Sequence, residues 1–332
     1  MKRIICLTLL VFALCACKGN RQTLLPNVSG KAGEVMVVIE KVDWEGAAGN
    51  SIRELLAADC PWFLMREPLY SLCNVTHGGF ADMFKVHRNV VYFDIDPQVE
   101  SSGVKFLKDV WAKPQAVVQI AAPDSQTAAQ LVEKEGKKIV SFIEQSERNR
   151  VIRNTMLYEE KPLHNMVVDI FGGGLHFPTG YKFKKKTSDF IWIADEKQYT
   201  IQGVFVYRYP ALGNSSDFRR ENIIAHRNEV LRNNVPGMFD NTYMTTGTIP
   251  TPTVEFIKFG SRNFAQTRGY WEVANDYMGG PFVSHSFYSP DGLYVIVCDA
   301  FVYAPKYDKR QYLRQVESLL YSWEWKEIKV EN

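Results

Sequence analysis

The sequence predicts an α/β plus α+β protein. An N-terminal α/β domain is expected over residues 31–150. A C-terminal domain over 151–332 is expected to carry an antiparallel sheet covered by helices. Three observations support this. Strand-like and helix-like segments alternate up to residue 150. The second half turns to short apolar strands rich in tyrosine, with 13 of 16 tyrosines at or after Tyr181. The chain has 332 residues, more than one ordinary core organises. Its 46% hydrophobic and 23% charged content is globular and excludes disorder, collagen-like repeats and a multi-span membrane protein.

The elements follow in order. Residues 34–40 form a β-branched run between charges and read as a buried strand. A helix is expected near 46–58, with Ala48, Ile52 and Leu55 on one face and Cys60-Pro61 ending it. Residues 84–95 read as a strand stopped by Asp96-Pro97, 107–111 as the end of a short helix, and 115–121 as a strand. Asp124 or Ser125 caps a long helix whose apolar residues, from Ala128 to Ile143, recur at helical spacing. The charged stretch 148–161 is expected to be the joint between domains. Pro162 suits the first turn of the next helix, and Gly172 its C-cap. Six strands are then expected between 190 and 303, the last two joined by a Ser289-Pro290-Asp291-Gly292 turn. Two helices interrupt them: 218–233 capped by Asp217, and 309–323 with Asp308 and Gln311 placed as a capping box. Both are assigned to one face of the sheet. The element order is loosely similar to the α/β/α sandwich of the PsbP/Mog1 type.

The first residues concern location. Lys2 and Arg3 precede an apolar run, 4–14, too short to span a bilayer. Leu14-Cys15-Ala16-Cys17 resembles the lipobox of bacterial lipoproteins. The resemblance implies a signal peptide over 1–16, lipidation (diacylglycerol and palmitate-type acyl chains) at Cys17, and a tether over 17–30. Each buried methylene contributes about 0.8 kcal/mol, so several chains anchor firmly. No acidic run follows Cys17. The expected location is the cell envelope, on the outer membrane facing the periplasm. Loss of residues 1–16 removes Lys2 and Arg3 and no acid, leaving 37 charges of each sign. That balance argues against a nucleic-acid partner.

Four cysteines then remain. In an oxidising compartment Cys60 and Cys73 could form a disulfide, while Cys298 in a β-rich run reads as a buried apolar residue. Cys60, Cys73, His77 and His87 lack the close pairs of a structural zinc site, and no metal or cofactor is expected. Gly172-Gly173-Gly174 lacks the Gly-Lys-Ser/Thr ending of a phosphate loop. Lys182, Lys184, Lys185 and Lys186 read as a strand edge protected by charge, or as a contact for anionic headgroups. His226 and Glu229 share a helix face without a metalloprotease pattern. The stretch Tyr270, Trp271, Glu272, Asp276 and Tyr277 could stack on sugar rings and bond their hydroxyls, with Arg262 and Arg268 beside it. Glu255, Glu272, Asp276 and Asp299 could supply a hydrolase pair.

Beyond the lipobox, Ser29-Gly30-Lys31-Ala32-Gly33-Glu34-Val35, Trp44-Glu45-Gly46, Phe84-Lys85-Val86-His87-Arg88-Asn89, Phe177-Pro178-Thr179-Gly180-Tyr181 and Gly269-Tyr270-Trp271-Glu272-Val273 carry a wider resemblance. Nearly the full chain resembles a family of uncharacterised Bacteroidetes-type lipoproteins, defined as a domain of unknown function. The resemblance implies a diderm envelope and brings no catalytic residue. The expected role is therefore non-catalytic: binding or scaffolding an envelope protein, or binding a glycan, with hydrolysis a third alternative. Replacing Cys17 by Ala is expected to move the protein from the membrane to the soluble fraction, read by fractionation and immunoblotting. Retention in the membrane fraction would refute the anchor.

Overall fold

A computed structural model describes residues 24–326, so the leader and Cys17 lie outside the described residues. The N-terminal half is a five-stranded sheet in the order β2-β1-β3-β5-β4: β1 Glu34–Val38, β2 Ser71–Val75, β3 Asn89–Ile95, β4 Gly103–Lys108 and β5 Ala116–Ala122. All pairings are parallel except β4 with β5. Two helices, α1 Ala47–Leu56 and α2 Ser125–Leu157, cover one face. Val37, Ile39, Phe93 and Ile120 meet Ile52, Leu56, Val132 and Ile139 there. The opposite face carries only a small cluster, Met36, Val38, Phe80, Val90 and Val117, with Tyr92 and Trp111 partly buried on it.

Asp124 caps α2 as expected, its side chain accepting from the Thr127 N–H. Other expectations fail for reasons of packing. Residues 82–85 form a helical turn ahead of β3, so the strand begins at Asn89. Residues 103–108 are a strand: Val104 and Phe106 pack inward while Lys105 faces water, a period of two. β2 was not foreseen, because its burial depends on β1 beside it. The expected joint 148–161 is helical as far as Leu157. Its charges are used inside the molecule: Arg150 donates to the Pro114 carbonyl, and Glu147 just before it, 1% exposed, pairs with Arg88 at 2.9 Å. The expected tether is fixed from Pro26 onward, where Lys113 N–H donates to the Pro26 carbonyl and Arg88 N–H to that of Ser29.

In the C-terminal half, α3 Lys161–Phe171 ends at Gly172, whose φ of 73° is the left-handed conformation glycine tolerates. β6 Gly173–Gly174 pairs with β15 Glu324–Trp325. The main sheet is eight-stranded and antiparallel: β7 Lys182–Lys186, β8 Phe190–Lys197, β9 Thr200–Pro210, β10 Tyr243–Thr246, β11 Thr253–Phe259, β12 Arg262–Ala274, β13 Gly279–Tyr288 and β14 Tyr294–Tyr303. The long β12 pairs with β11 at its start and β10 at its end. Helices lie on both faces of this sheet, correcting the expectation of one. α3 and α5 (Arg310–Leu320) cover Ile191, Val204, Val206, Cys298 and Ala300. α4 (Arg220–Asn234) sends Leu231 into the other face, onto Phe205, Tyr207 and Trp271. Adjacent strand residues such as Phe205 and Val206 are both apolar, so both faces must be covered.

Neither expected cap is used. Asp217 sits in a 3-10 turn, 2% exposed, accepting from Leu212 and Gly213 N–H and the Tyr288 hydroxyl, and Arg219 holds the N-cap position of α4. The start of α5 is capped from the other half: Glu67 accepts from the Lys309 and Arg310 N–H groups at 2.9 and 2.8 Å.

His285 is buried in the C-terminal core, stacked on Phe264 with centroids 4.0 Å apart. Gln266 accepts from Arg268 through its oxygen, so its nitrogen faces the His285 Nε2 at 3.2 Å and donates to it. Burial first, then Arg262, Arg268 and Arg148, push the imidazole well below its ordinary 6.5. The unfolded chain therefore takes up this proton first as pH falls. The stability contribution is complete above 6.5 and is lost below it, by up to about 1.4 kcal/mol per pH unit. Urea unfolding midpoints should fall between about pH 7.5 and about pH 5.5, and fall less in His285→Gln. Equal falls in both proteins would contradict the assignment.

Candidate functional site

The open face of the N-terminal sheet carries the clearest site. Strand alternation sends Val91 and Phe93 of β3 into the helix-covered core and Tyr92 and Asp94 the other way. Val117 and Gln119 of β5 and Leu107 of β4 share that open side. His77, Phe80 and Lys85 reach over it from the β2–β3 connection, and Val110 and Trp111 from beyond β4. Together they line a groove of about 540 Å³.

Four rings form its wall. Phe80 meets Trp111 edge-on at 5.2 Å, Tyr92 meets His77 edge-on at 5.0 Å, and Tyr92 lies 6.4 Å from Trp111. Hydrogen bonds hold His77 and Trp111 in place. His77 Nε2 donates to the Phe93 carbonyl at 2.6 Å, and Nδ1 lies 2.9 Å from Glu40. The His77 side-chain and backbone hydrogen bonds hold the Glu40 carboxyl below its usual range. Trp111 is positioned by Gln115, 2% exposed, whose Oε1 accepts from the Trp111 N–H. The Gln115 Nε2 donates to the Lys85 and His87 carbonyls, tying both rims together. Asp109, at φ 55°, accepts from the Gln115 N–H and closes the turn. Burial, and then the Asp94 charge, push the Tyr92 phenol up, so it stays a neutral donor. The groove thus offers flat apolar faces edged by Asp94, Gln119 and Lys85. That suits a ligand with an apolar face and a rim of hydroxyls.

The sequence placed its aromatic platform elsewhere. Trp271 is 1% exposed: its Nε1–H donates to the Val302 carbonyl and its ring meets Phe301 edge-on at 5.4 Å. Strand alternation turns Tyr270 the opposite way, where it lines a cavity of about 310 Å³ with Tyr277, Tyr303 and Phe63. Tyr277 is fully exposed, and Glu272 is exposed. Arg262 donates to the Leu320 carbonyl, and Arg268 pairs with Glu317, so neither serves a platform. The four acids do not converge. Glu255 is exposed on β11, Asp276 sits in the β12–β13 turn, and Asp299 is buried against Arg227 at 2.7 Å, burial pushing its carboxyl up.

Cys60 and Cys73 are free thiols, so the disulfide that the sequence allowed is not made. Burial pushes Cys60 up to about 11, and Cys73 is exposed on β2 opposite Met36. His87 is buried and donates from Nδ1 to the Asn89 carbonyl. His226 stacks on Tyr209 at 3.9 Å. Lys184 pairs with Glu196, and Lys185 donates to the Asn234 carbonyl at the end of α4, all on edge strand β7. The one cluster of metal-ligand side chains among the described residues is Glu159, His164 and His176. Sequence spacing gave no signal for it, nor for the groove, whose residues span 77 to 119.

Residues 160–322 match a family described as Domain of unknown function (DUF4837). Residues 28–156 match a second, DUF8532, and the groove lies within that match. The two matches meet at the end of α2. No curated protein matches the chain. A crystal structure from Bacteroides thetaiotaomicron VPI-5482 is similar at 9% identity and a TM-score of 0.26. The likeness covers 47% of this chain and 46% of that one, so the chain spans about half its length. At that similarity it bears on neither fold nor role.

Buried Trp271 and exposed Tyr277 of the same segment should behave oppositely. Trp271→Ala is expected to cost about 3–5 kcal/mol in urea unfolding. Tyr277→Ala should stay within about 0.5 kcal/mol. A Trp271→Ala protein of unchanged stability would place that ring at the surface.

Proposed function

We propose that this chain is a non-catalytic binding protein of the cell envelope, lipid-anchored at Cys17, that takes glycan in the open-face groove. One observation carries the binding reading: the aromatic wall of His77, Phe80, Tyr92 and Trp111 stands on a sheet face that α1 and α2 leave uncovered. Aromatic faces suit the apolar side of a pyranose ring, and Asp94, Gln119 and Lys85 stand where hydroxyls would need partners. Asp94 is the one carboxylate lining the groove, whereas glycoside hydrolysis uses two. The lipobox and the preceding apolar run support the anchor, and the outer membrane facing the periplasm is the location proposed with it.

The test is tryptophan fluorescence and calorimetry with envelope oligosaccharides, using wild type and Trp111→Ala. Saccharide binding should be saturable in wild type. It should weaken at least about 10-fold in Trp111→Ala, the loss expected for one stacked aromatic contact of about 1.4 kcal/mol. Unchanged binding in the variant would remove the groove from the proposal. Absence of binding to every saccharide tried would overturn the glycan ligand and favour a protein partner, to be sought by crosslinking from the groove rim at Leu107.

A further inference from the structure

Glu159, His164, His176 and Glu324 come together from four places in the chain. Glu159 follows the end of α2 and bridges to Pro178. His164 lies in the first turn of α3. His176 lies just beyond β6, and Glu324 is on β15, which pairs with β6. The donor atoms of Glu159, His164 and His176 all lie within 4.8 Å of one another. The two imidazoles are stacked, with centroids 4.6 Å apart and planes within 10°. Gly174 permits this approach, since a Cβ there would meet the His164 ring at 3.0 Å.

The hydrogen-bond geometry favours a bound cation. His164 Nδ1 faces the Leu175 carbonyl at 3.1 Å, which can only accept, so Nδ1 carries the proton and Nε2 keeps a lone pair. A histidine oriented through one nitrogen by a carbonyl is the usual outer-shell arrangement of a metal ligand. His176 is 8% exposed. Its Nδ1 lies 2.5 Å from Glu159, while its Nε2 is buried without a hydrogen-bond partner. That Nε2 faces the Glu324 carboxylate at 3.3 Å. Two carboxylates and two imidazoles thus face one another, a donor set that suits a divalent cation.

We infer that Glu159, His164, His176 and Glu324 form a site for a zinc-class divalent cation. Imidazole and carboxylate donors in a set of four match zinc and disfavour magnesium and calcium, which take oxygen ligands. The ion clasps the terminal ribbon of β6 and β15 to the joint between α2 and α3. Its role is structural: Glu159, His164 and His176 supply three donors and Glu324, beside His176, is placed to supply the fourth.

The test uses untagged, chelator-stripped protein incubated with zinc chloride and desalted. Wild type should retain about one zinc per chain and unfold at a higher temperature than the stripped protein. His164→Ala should bind zinc at least about 100-fold more weakly and lose the thermal shift. Glu324→Gln, at a mostly exposed side chain, should weaken binding without disturbing the stripped protein. A site that is only a His176 imidazolium held by Glu159 would be indifferent to His164. Retention of under roughly a tenth of a zinc per chain by wild type, or equal retention by His164→Ala, would overturn the inference.

Discussion

The pair of partly buried Glu144 and buried Arg314 fixes how the two halves of this protein meet. Glu144 lies on α2 and Arg314 on α5, 2.8 Å apart, with Arg314 only 9% exposed. Burial pushes the Glu144 carboxyl up, but the Arg314 charge and hydrogen bonds from Arg314 and Tyr70 outweigh it and hold the group below its usual range. A charge at this depth is costly unless paired and fully hydrogen-bonded. The requirement is met by both halves together: the Tyr70 hydroxyl donates to Glu144 at 2.6 Å, and Arg314 also donates to the Leu69 carbonyl. Nearby, Glu67 caps α5 and the Arg148 guanidinium lies 3.6 Å over the Tyr321 ring.

The seam explains which sheet face stays open. α2 covers one face of the N-terminal sheet while its other side meets α5, and α5 in turn covers one face of the C-terminal sheet. The other face of the C-terminal sheet is closed by α4. Among the described residues, the second face of the N-terminal sheet receives the β2–β3 connection with its helical turn at 82–85 and the loop carrying Trp111. Similar aromatic residues therefore have different fates. Trp271 fills a covered face and is packing, whereas Trp111 stands on the open one and lines a groove.

Legibility followed the range of the interactions. β1, β5, the Asp124 cap and the Gly172 C-cap were readable because each depends on a few neighbouring residues. So was the Ser289–Gly292 turn, where Gly292 takes φ 72°. β2 and β4 were missed because their burial is one-sided and supplied by partner strands. The helix through 148–157 is hidden in the sequence because its charges look solvated, yet Arg150, like Glu147 just before it, is spent on a group about 60 residues away in sequence. The expected platform failed at Trp271 because a strand turns adjacent side chains to opposite faces.

The sequence by itself determined the fold class, the principal helices and the antiparallel character of the second half, since periodicity, caps and turns are local properties of the chain. Tertiary structure decided everything that needs residues distant in sequence. It set Glu67 at the start of α5, placed Asp299 against Arg227, drew His164 and His176 together with Glu324, and left Tyr92 and Trp111 on an uncovered face. The reason is physical: a side chain's burial, charge state and partners depend on what packs above it, and that is settled by which helix covers which face.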